Sequence, residues 1–292
     1  MGQALLSGTR IVVAVAVLSL GFPGAADAAS SRLLATGGVM QIEGSAGGGL
    51  TPWALIAGLG SDREIGGSAF CTHVAPQDFR LDSCGLAIGL RDRVELSYAR
   101  QTFGLGTTVP GEEIRVDVVG AKLRLVGDAV YDQDRWLPQI ALGLQYKHNR
   151  DFDFVPTLLG ARHGSDTDFY LAATKLWLDG IGGRFTLIDL TLRSSRANQL
   201  GILGFGGDSG DGRSLLIEGS AAVFVSDAIA LGLEYRQKPD RLSVFREDDF
   251  GDLFVAWFPS KHFSITAAWA KLGNVADKSG QQGLYLSLQG SL

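Results

Sequence analysis

DSCGLAIGLRDRVELSYARQTF, residues Asp82 to Phe103, decides the fold. Leu86, Ile88 and Leu90 alternate with Gly85, Ala87 and Gly89; beyond Arg91, Asp92 and Arg93, the residues Val94, Leu96 and Tyr98 alternate with Glu95, Ser97 and Ala99. A period of two on both sides of a short polar connection marks an antiparallel hairpin with one apolar face. Two strands are not stable alone in water, so the hairpin must belong to a larger sheet.

The pattern recurs along the chain. Ile140, Leu142, Leu144 and Tyr146 share one face, and the runs Ile229 to Arg236, Phe263 to Ala270 and Leu284 to Leu292 alternate in the same way. Asp168 to Trp177 and Arg184 to Arg193 read as two further strands. Ile114, Val116 and Val118 keep one phase while Val119, Ala121, Leu123 and Leu125 keep the other, which predicts a β-bulge near Val118. Gly38 to Ser45, Trp53 to Leu59 and, beyond a turn at Asp62-Arg63, Ile65 to Thr72 form a glycine-laden first section that fixes no phase; it reads either as three strands of the sheet or partly as an N-terminal plug inside it. No repeat is strict enough for a solenoid or propeller.

Connection lengths and face chemistry choose between a soluble and a membrane sheet. Short turns at Asp62-Arg63, Arg91-Asp92-Arg93, Ser226-Asp227 and Pro259-Ser260-Lys261 interleave with long polar loops at Asn149 to Ser165, Ser194 to Arg213 and Gln237 to Asp249. Short turns on one rim and long loops on the other characterise membrane barrels. The second face carries small residues at central positions, Ala87, Gly89, Ala141, Gly143, Ala230, Gly232, Ala268 and Ala270, which suits a crowded lumen. Tyr146, Tyr235 and Trp269 fall at the long-loop end of the apolar face, and Trp257 and Phe263 flank a short turn; rings at both edges of an apolar band are what a membrane interface selects. The fold expected is all-β: a single antiparallel transmembrane β-barrel of about 12–14 strands in an up-and-down meander.

The N-terminus reads as an export leader. Arg10 precedes the apolar run Ile11 to Leu20, then come Gly21, Pro23 and Gly24, then Ala26-Asp27-Ala28 with small residues at both key cleavage positions. The layout expected is a signal peptide over 1–28 and a barrel over 29–292, with 29–60 as N-terminal strands or plug. No later stretch reaches the ~18 apolar residues of a membrane helix. The formal net charge is -5 with no basic cluster, which argues against nucleic acid as a partner. Outer-membrane lipid, the assembly machinery and a small hydrophilic solute are the partners expected; the oligomeric state has no sequence signal.

Charged residues on the second face define a candidate lumen lining: Glu95, Glu218, Glu234 and Asp252 against Arg124, Lys147, Arg193 and Arg236. Balanced lining fits passage of small solutes without strong ion preference, and equally a lumen blocked by paired side chains. Phe245-Arg246-Glu247-Asp248-Asp249 is the most unusual charged segment, either a constriction folded into the lumen or a solvated loop. Cys71 and Cys84 flank Pro76-Gln77-Asp78 almost symmetrically, so a hairpin brings them nearly opposite; export permits a disulfide, and free thiols are the alternative.

Catalytic and metal readings are weak. His163-Gly164-Ser165 could suggest a hydrolase, but it lies in a predicted loop, and a usable pair must be within hydrogen-bond reach with the base itself oriented; an ordinary loop pair is the reading favoured. Asp208-Ser209-Gly210-Asp211-Gly212 has the wrong later spacing for an EF-hand, and Gly201 to Gly207 does not join a strand to a helix as phosphate cradles require. No cofactor is expected.

The segments Leu33 to Gly38, Gly127 to Asp132, Asp168 to Lys175, Ala197 to Gly201, Glu234 to Asp240, Phe245 to Asp249 and Ala256 to Pro259 resemble those of a family of exported bacterial proteins carried as a domain of unknown function. The resemblance covers nearly all of the mature chain and implies an outer-membrane protein, with no activity or catalytic residues to carry over. The last strand resembles the signal read by the outer-membrane assembly machinery, although Leu292 stands where an aromatic is commoner. The function expected is a porin-like or substrate-selective channel; the alternatives are a lipid-acting barrel enzyme and a non-conducting anchoring barrel.

Overall fold

The computed structural model describes residues 38–292; the leader expected over 1–28 lies outside them. Twelve strands form one closed barrel: β1 Ile65–Pro76, β2 Arg80–Leu90, β3 Val94–Gly104, β4 Glu113–Val126, β5 Gln139–Asn149, β6 Ser165–Trp177, β7 Thr186–Ser195, β8 Ser214–Ser226, β9 Ile229–Arg236, β10 Phe250–Ser260, β11 Phe263–Val275 and β12 Lys278–Ser291. Each strand pairs antiparallel with its sequence neighbours. The seam closes where β12 meets β1, from Gly283 opposite Pro76 to Ser291 opposite Ser68. Closure leaves no exposed sheet edge, which is what hydrocarbon surroundings demand of strands.

The hairpin of β2 and β3 sets the orientation of the wall. Leu90 faces Val94 and Leu86 faces Tyr98. Arg91 and Asp92 both take left-handed backbone, φ 53° and 48°, as tight hairpin turns need to match strand twist. Leu86, Ile88 and Leu96 point out and are exposed, whereas Ala87, Glu95 and Ser97 are buried inside. The other strands repeat this arrangement, with Leu142, Leu190, Leu233 and Leu286 on the exterior and Tyr146, Tyr235, Trp257 and Trp269 towards its edges.

Leu190 lies near the middle of β7, half exposed on the exterior. Leu190→Arg is expected to destabilise the inserted barrel by ~2–4 kcal/mol at mid-bilayer depth. Reversible urea unfolding in lipid vesicles measures it. Equal stability of the two chains would remove the lipid-facing assignment.

Two sequence expectations are corrected. The phase change in β4 is not a bulge near Val118, because β3 and β4 pair without a shift from Val94 opposite Leu123 to Gly104 opposite Glu113. Ile114, Val116 and Val118 instead point inward and are almost fully buried. The exterior beside them carries Arg115 and Asp117, which pair with Asp151 and with Arg100 and Arg150. The apolar face of this strand therefore changes side at the depth where the exterior becomes polar. The irregularity lies lower, between Arg124 and Val126.

The contrast between rims is also only partial. Asp62-Arg63 precedes β1 and joins no two barrel strands; residues 127–138 make a long connection on the short-turn rim, and residues 77–79 and 276–277 make short ones on the other. Cys71 and Cys84 stand directly opposite on β1 and β2 with Cα atoms 4.1 Å apart, and their sulfurs are bonded.

Candidate functional site

Residues 38–60 do not join the wall. They form a buried loop inside the barrel, held by one two-residue strand pair, Val39–Met40 against Ala46–Gly47. Gly38 and Leu59 lie beside Lys261 at the short-turn rim, and the segment climbs between them to a tip around Glu43. Leu59 is tied to the seam, its N–H donating to the carbonyl of Leu292 at 2.8 Å.

A peptide loop in a barrel presents backbone groups that strands cannot pair, so side chains must satisfy them. Glu95 accepts the N–H groups of Ala46 and Ala57 at 3.2 and 2.9 Å, and Lys122 donates to the carbonyls of Ala46 and Leu55 at 2.9 and 2.8 Å. Gln139 donates to the carbonyl of Ala54, and the Thr174 hydroxyl accepts its N–H while donating to Asp189. Glu234 accepts from the N–H of Leu50 at 2.8 Å and from the N–H and hydroxyl of Thr51. The Trp53 indole donates to Ser220, whose hydroxyl donates to Glu234.

At the tip, Glu43 meets Lys147, Arg236 at 2.6 Å and Arg193 at 3.9 Å. Asp168 and Glu218 complete the cluster: Lys147 reaches Asp168 at 2.7 Å, Arg193 reaches both carboxylates, and Arg236 reaches Glu218 at 3.1 Å. All six side chains are at most 5% exposed. Three cations thus balance three carboxylates, of which only Glu43 comes from the inner segment.

Of the sequence-derived lining, Glu95, Lys147, Arg193, Glu218, Glu234 and Arg236 lie in these networks, and Asp252 stands opposite Glu234 on the neighbouring strand. Arg124 lies apart on the short-turn rim, paired with Asp92 and Asp128. Sequence reasoning passed over Lys122, Asp168 and Asp189, each on the inward phase of its strand, and Glu43. The last was legible as the sole charged residue between Gly38 and Gly60.

A second in-folded segment closes the long-loop mouth. Residues 197–206 descend into it with Asn198, Leu200, Leu203 and Phe205 buried. The Asn149 amide donates to the carbonyls of Gly201 and Ile202 at 3.0 and 2.7 Å. Gln199 and Leu200 both take left-handed backbone, φ 48° and 66°, and Gln199 donates to Glu247 and to the carbonyl of Asn274. Between lid and inner segment lies an apolar cavity of about 40 Å³, lined by Ile42, Leu50, Phe103, Leu200, Leu203 and Phe250. Of the candidate constriction 245–249, Glu247 turns inward to Lys238 at 2.8 Å, while Arg246 and Asp248 are exposed and Asp249 binds Tyr235 on the exterior.

Burial raises the Glu247 carboxyl from 4.5 to about 7; Lys238 pulls it down, and Asp240 and Asp248 push it up. Burial likewise pushes the Lys238 amine down. A carboxyl whose folded value is raised favours the closed lid most below its ordinary value, and that contribution fades as pH rises through the folded one. Amide exchange at 198–206, corrected for intrinsic rates, should therefore be slower at pH 5 than at pH 8, by about 2–3 kcal/mol of protection, and Glu247→Gln should flatten the difference.

Catalytic and metal readings gain no geometry. His163 pairs with Asp211 at 3.0 Å, whereas Ser165 stands opposite His148 on β5. Asp208 accepts the N–H groups of Ser209 and Ser243, and Asp211 also holds Arg196. Among the described residues, no group of three or more His, Cys, Asp or Glu side chains could hold a metal ion.

A closed twelve-stranded meander with an apolar exterior and a polar, filled interior defines a porin-like barrel of the outer-membrane type. The chain belongs to the protein family of unknown function DUF3034, whose model matches residues 36–289. Among solved structures the chain is similar to a KdgM porin at 11% identity and a TM-score of 0.50, covering 77% of this chain and 99% of that one. It is also similar to a NanC porin at 10% identity, with a TM-score of 0.49 over 77% and 100% of the two chains. A third similar structure is the outer membrane protein Omp33 of Acinetobacter baumannii, at 10% identity and a TM-score of 0.42, covering 78% and 97%. At 11% identity the likeness to the KdgM porin concerns the fold alone. No curated protein matches the chain.

Proposed function

We propose that this protein is an outer-membrane channel for small hydrophilic solutes, held shut at rest by residues 38–60. Export by the leader and insertion by the assembly machinery belong to the same reading, and the apolar exterior supports lipid as its surroundings. The observation that carries it is the way the lumen is filled. Glu95, Lys122 and Glu234 of the wall bind backbone groups of the inner segment. Water and solute hydroxyls can replace such bonds one for one, so release of the segment exposes a polar passage. A barrel built only to anchor could fill its lumen with wall side chains, as small barrels do, without a separate segment. The reading involves no catalysis and no cofactor.

Planar-bilayer recording tests it. The full chain should be silent or open rarely, and a chain lacking residues 38–60 should give discrete conductance steps. Silence of both, with both folded, would overturn the channel and favour the anchoring barrel.

A further inference from the structure

We infer that the Lys147, Arg193 and Arg236 cluster is a recognition site for the carboxylate of a small anionic solute, and that Glu43 occupies it in the closed state as an internal mimic. The inference rests on the channel reading and adds its solute class.

The wall supplies three cations and two carboxylates at this level, and Glu43 supplies the third carboxylate. When the inner segment leaves, Lys147, Arg193 and Arg236 face only Asp168 and Glu218, with one positive charge uncompensated. An uncompensated charge in a confined site is costly, and a bound anion removes the cost. The donors already point at a carboxylate, since Arg236 and Lys147 converge on the two oxygens of Glu43 from different strands. Guanidinium groups suit that planar geometry.

The surroundings restrict the ligand further. Gln145 donates to Gln41, and Ser83 and Gln101 donate to the carbonyl of Ile42 at 2.7 and 3.2 Å. Once the tip withdraws, these amides and the hydroxyl face the same space, so hydroxyl groups beside the carboxylate would find partners. A small polyhydroxy carboxylate matches this set; a neutral polyol lacks the charge that the three cations pair with. A solute carboxylate entering the cluster competes with Glu43, so it would also favour release of the segment, as any ligand specific for one of two states does.

Chemical rescue tests the inference. Glu43→Ala removes the mimic and leaves a space the size of a carboxylate. Thermal unfolding of this variant in detergent, followed by its heat-dependent electrophoretic mobility, is compared in potassium acetate, in acetamide with potassium chloride, and in potassium chloride alone. Acetate should raise the midpoint and bind at least about tenfold tighter than acetamide, as charge-assisted bonds allow. The wild-type chain should not respond, and Arg236→Gln added to Glu43→Ala should abolish the response. If Glu43→Ala fails to refold in chloride, refolding yield in acetate against acetamide is the readout. Equal behaviour in acetate, acetamide and chloride overturns the site. In liposomes holding Glu43→Ala, gluconate should enter faster than sorbitol; equal, measurable entry overturns the solute class while leaving the channel intact. Acetate rescue without entry of either solute keeps the anion site and sinks the channel instead.

Discussion

Arg193→Met is expected to cost the folded barrel about 3–5 kcal/mol, the range for removing one member of a buried charge network. Arg193 is fully buried and reaches Glu218 through Nε and Nη2, Gln145 at 2.7 Å and Asp168 at 3.4 Å, with Glu43 beyond. Its removal leaves three carboxylates facing Lys147 and Arg236 alone, in a volume where water is scarce. Methionine keeps an unbranched apolar stem but not the guanidinium, so the loss combines the carboxylates left unpaired with the space the fork filled. Urea unfolding in lipid vesicles, read by tryptophan fluorescence, gives the number. Arg193→Lys should recover only part of it, since an ammonium cannot span Glu218, Gln145 and Asp168 together. The exposed pair Arg115 and Asp151 is the internal control, and Arg115→Met should change little because solvent screens that contact. A loss at Arg193 no larger than that at Arg115 would mean the lumen is wet enough to solvate its charges.

The contrast between these two arginines bears on what the sequence could reveal. Exterior residues such as Leu86, Leu142 and Leu190 announce themselves because each meets the same medium, so period two survives along the strand. The lumen is heterogeneous. In its lower part small and polar residues keep the alternation clean, whereas near the mouth Ile114, Val116 and Val118 pack inside and Arg115 and Asp117 sit outside. Apolar residues then switch faces within one strand, which from sequence alone is indistinguishable from a bulge.

The inner segment hid for a related reason. Gly38 to Gly60 has the glycine and aliphatic content of the wall strands, yet its backbone groups are satisfied by Glu95, Lys122, Gln139 and Glu234 from four different strands. No local pattern encodes partners so far along the chain. Glu43 was the one local sign, a lone charge in a stretch that cannot bury it without distant cations. The lid at 197–206 left a fainter trace: its left-handed turn begins at Gln199 and Leu200, residues that sequence rules do not place there, and only its contacts with Glu247 and Asn149 account for them.

If the inner segment gates a channel as proposed, Gly48→Val is expected to open it without deleting anything. A Cβ at Gly48 would lie 1.9 Å from Oε1 and 2.6 Å from Cδ of Glu234. Glu234 cannot simply swing aside, because the N–H groups of Leu50 and Thr51 and the hydroxyls of Thr51 and Ser220 bind its carboxylate. Gly49 adds to the constraint, since a Cβ there would stand 3.0 Å from the Tyr285 hydroxyl. The wall is a closed ladder, whereas the inner segment is held mainly by wall side chains, with the bond from the Leu59 N–H to the Leu292 carbonyl at its far end, so the segment around Gly48 should yield first. Open probability in planar bilayers should rise at least about tenfold over wild type, with the barrel still folded by its electrophoretic mobility, because displacing a plug leaves the strand ladder intact. Gly212→Val, where an added Cβ meets nothing within 4 Å, should behave as wild type. A folded Gly48→Val barrel that stayed silent would mean that the segment is not a gate, and that the charges at its tip serve the stability of a closed body instead.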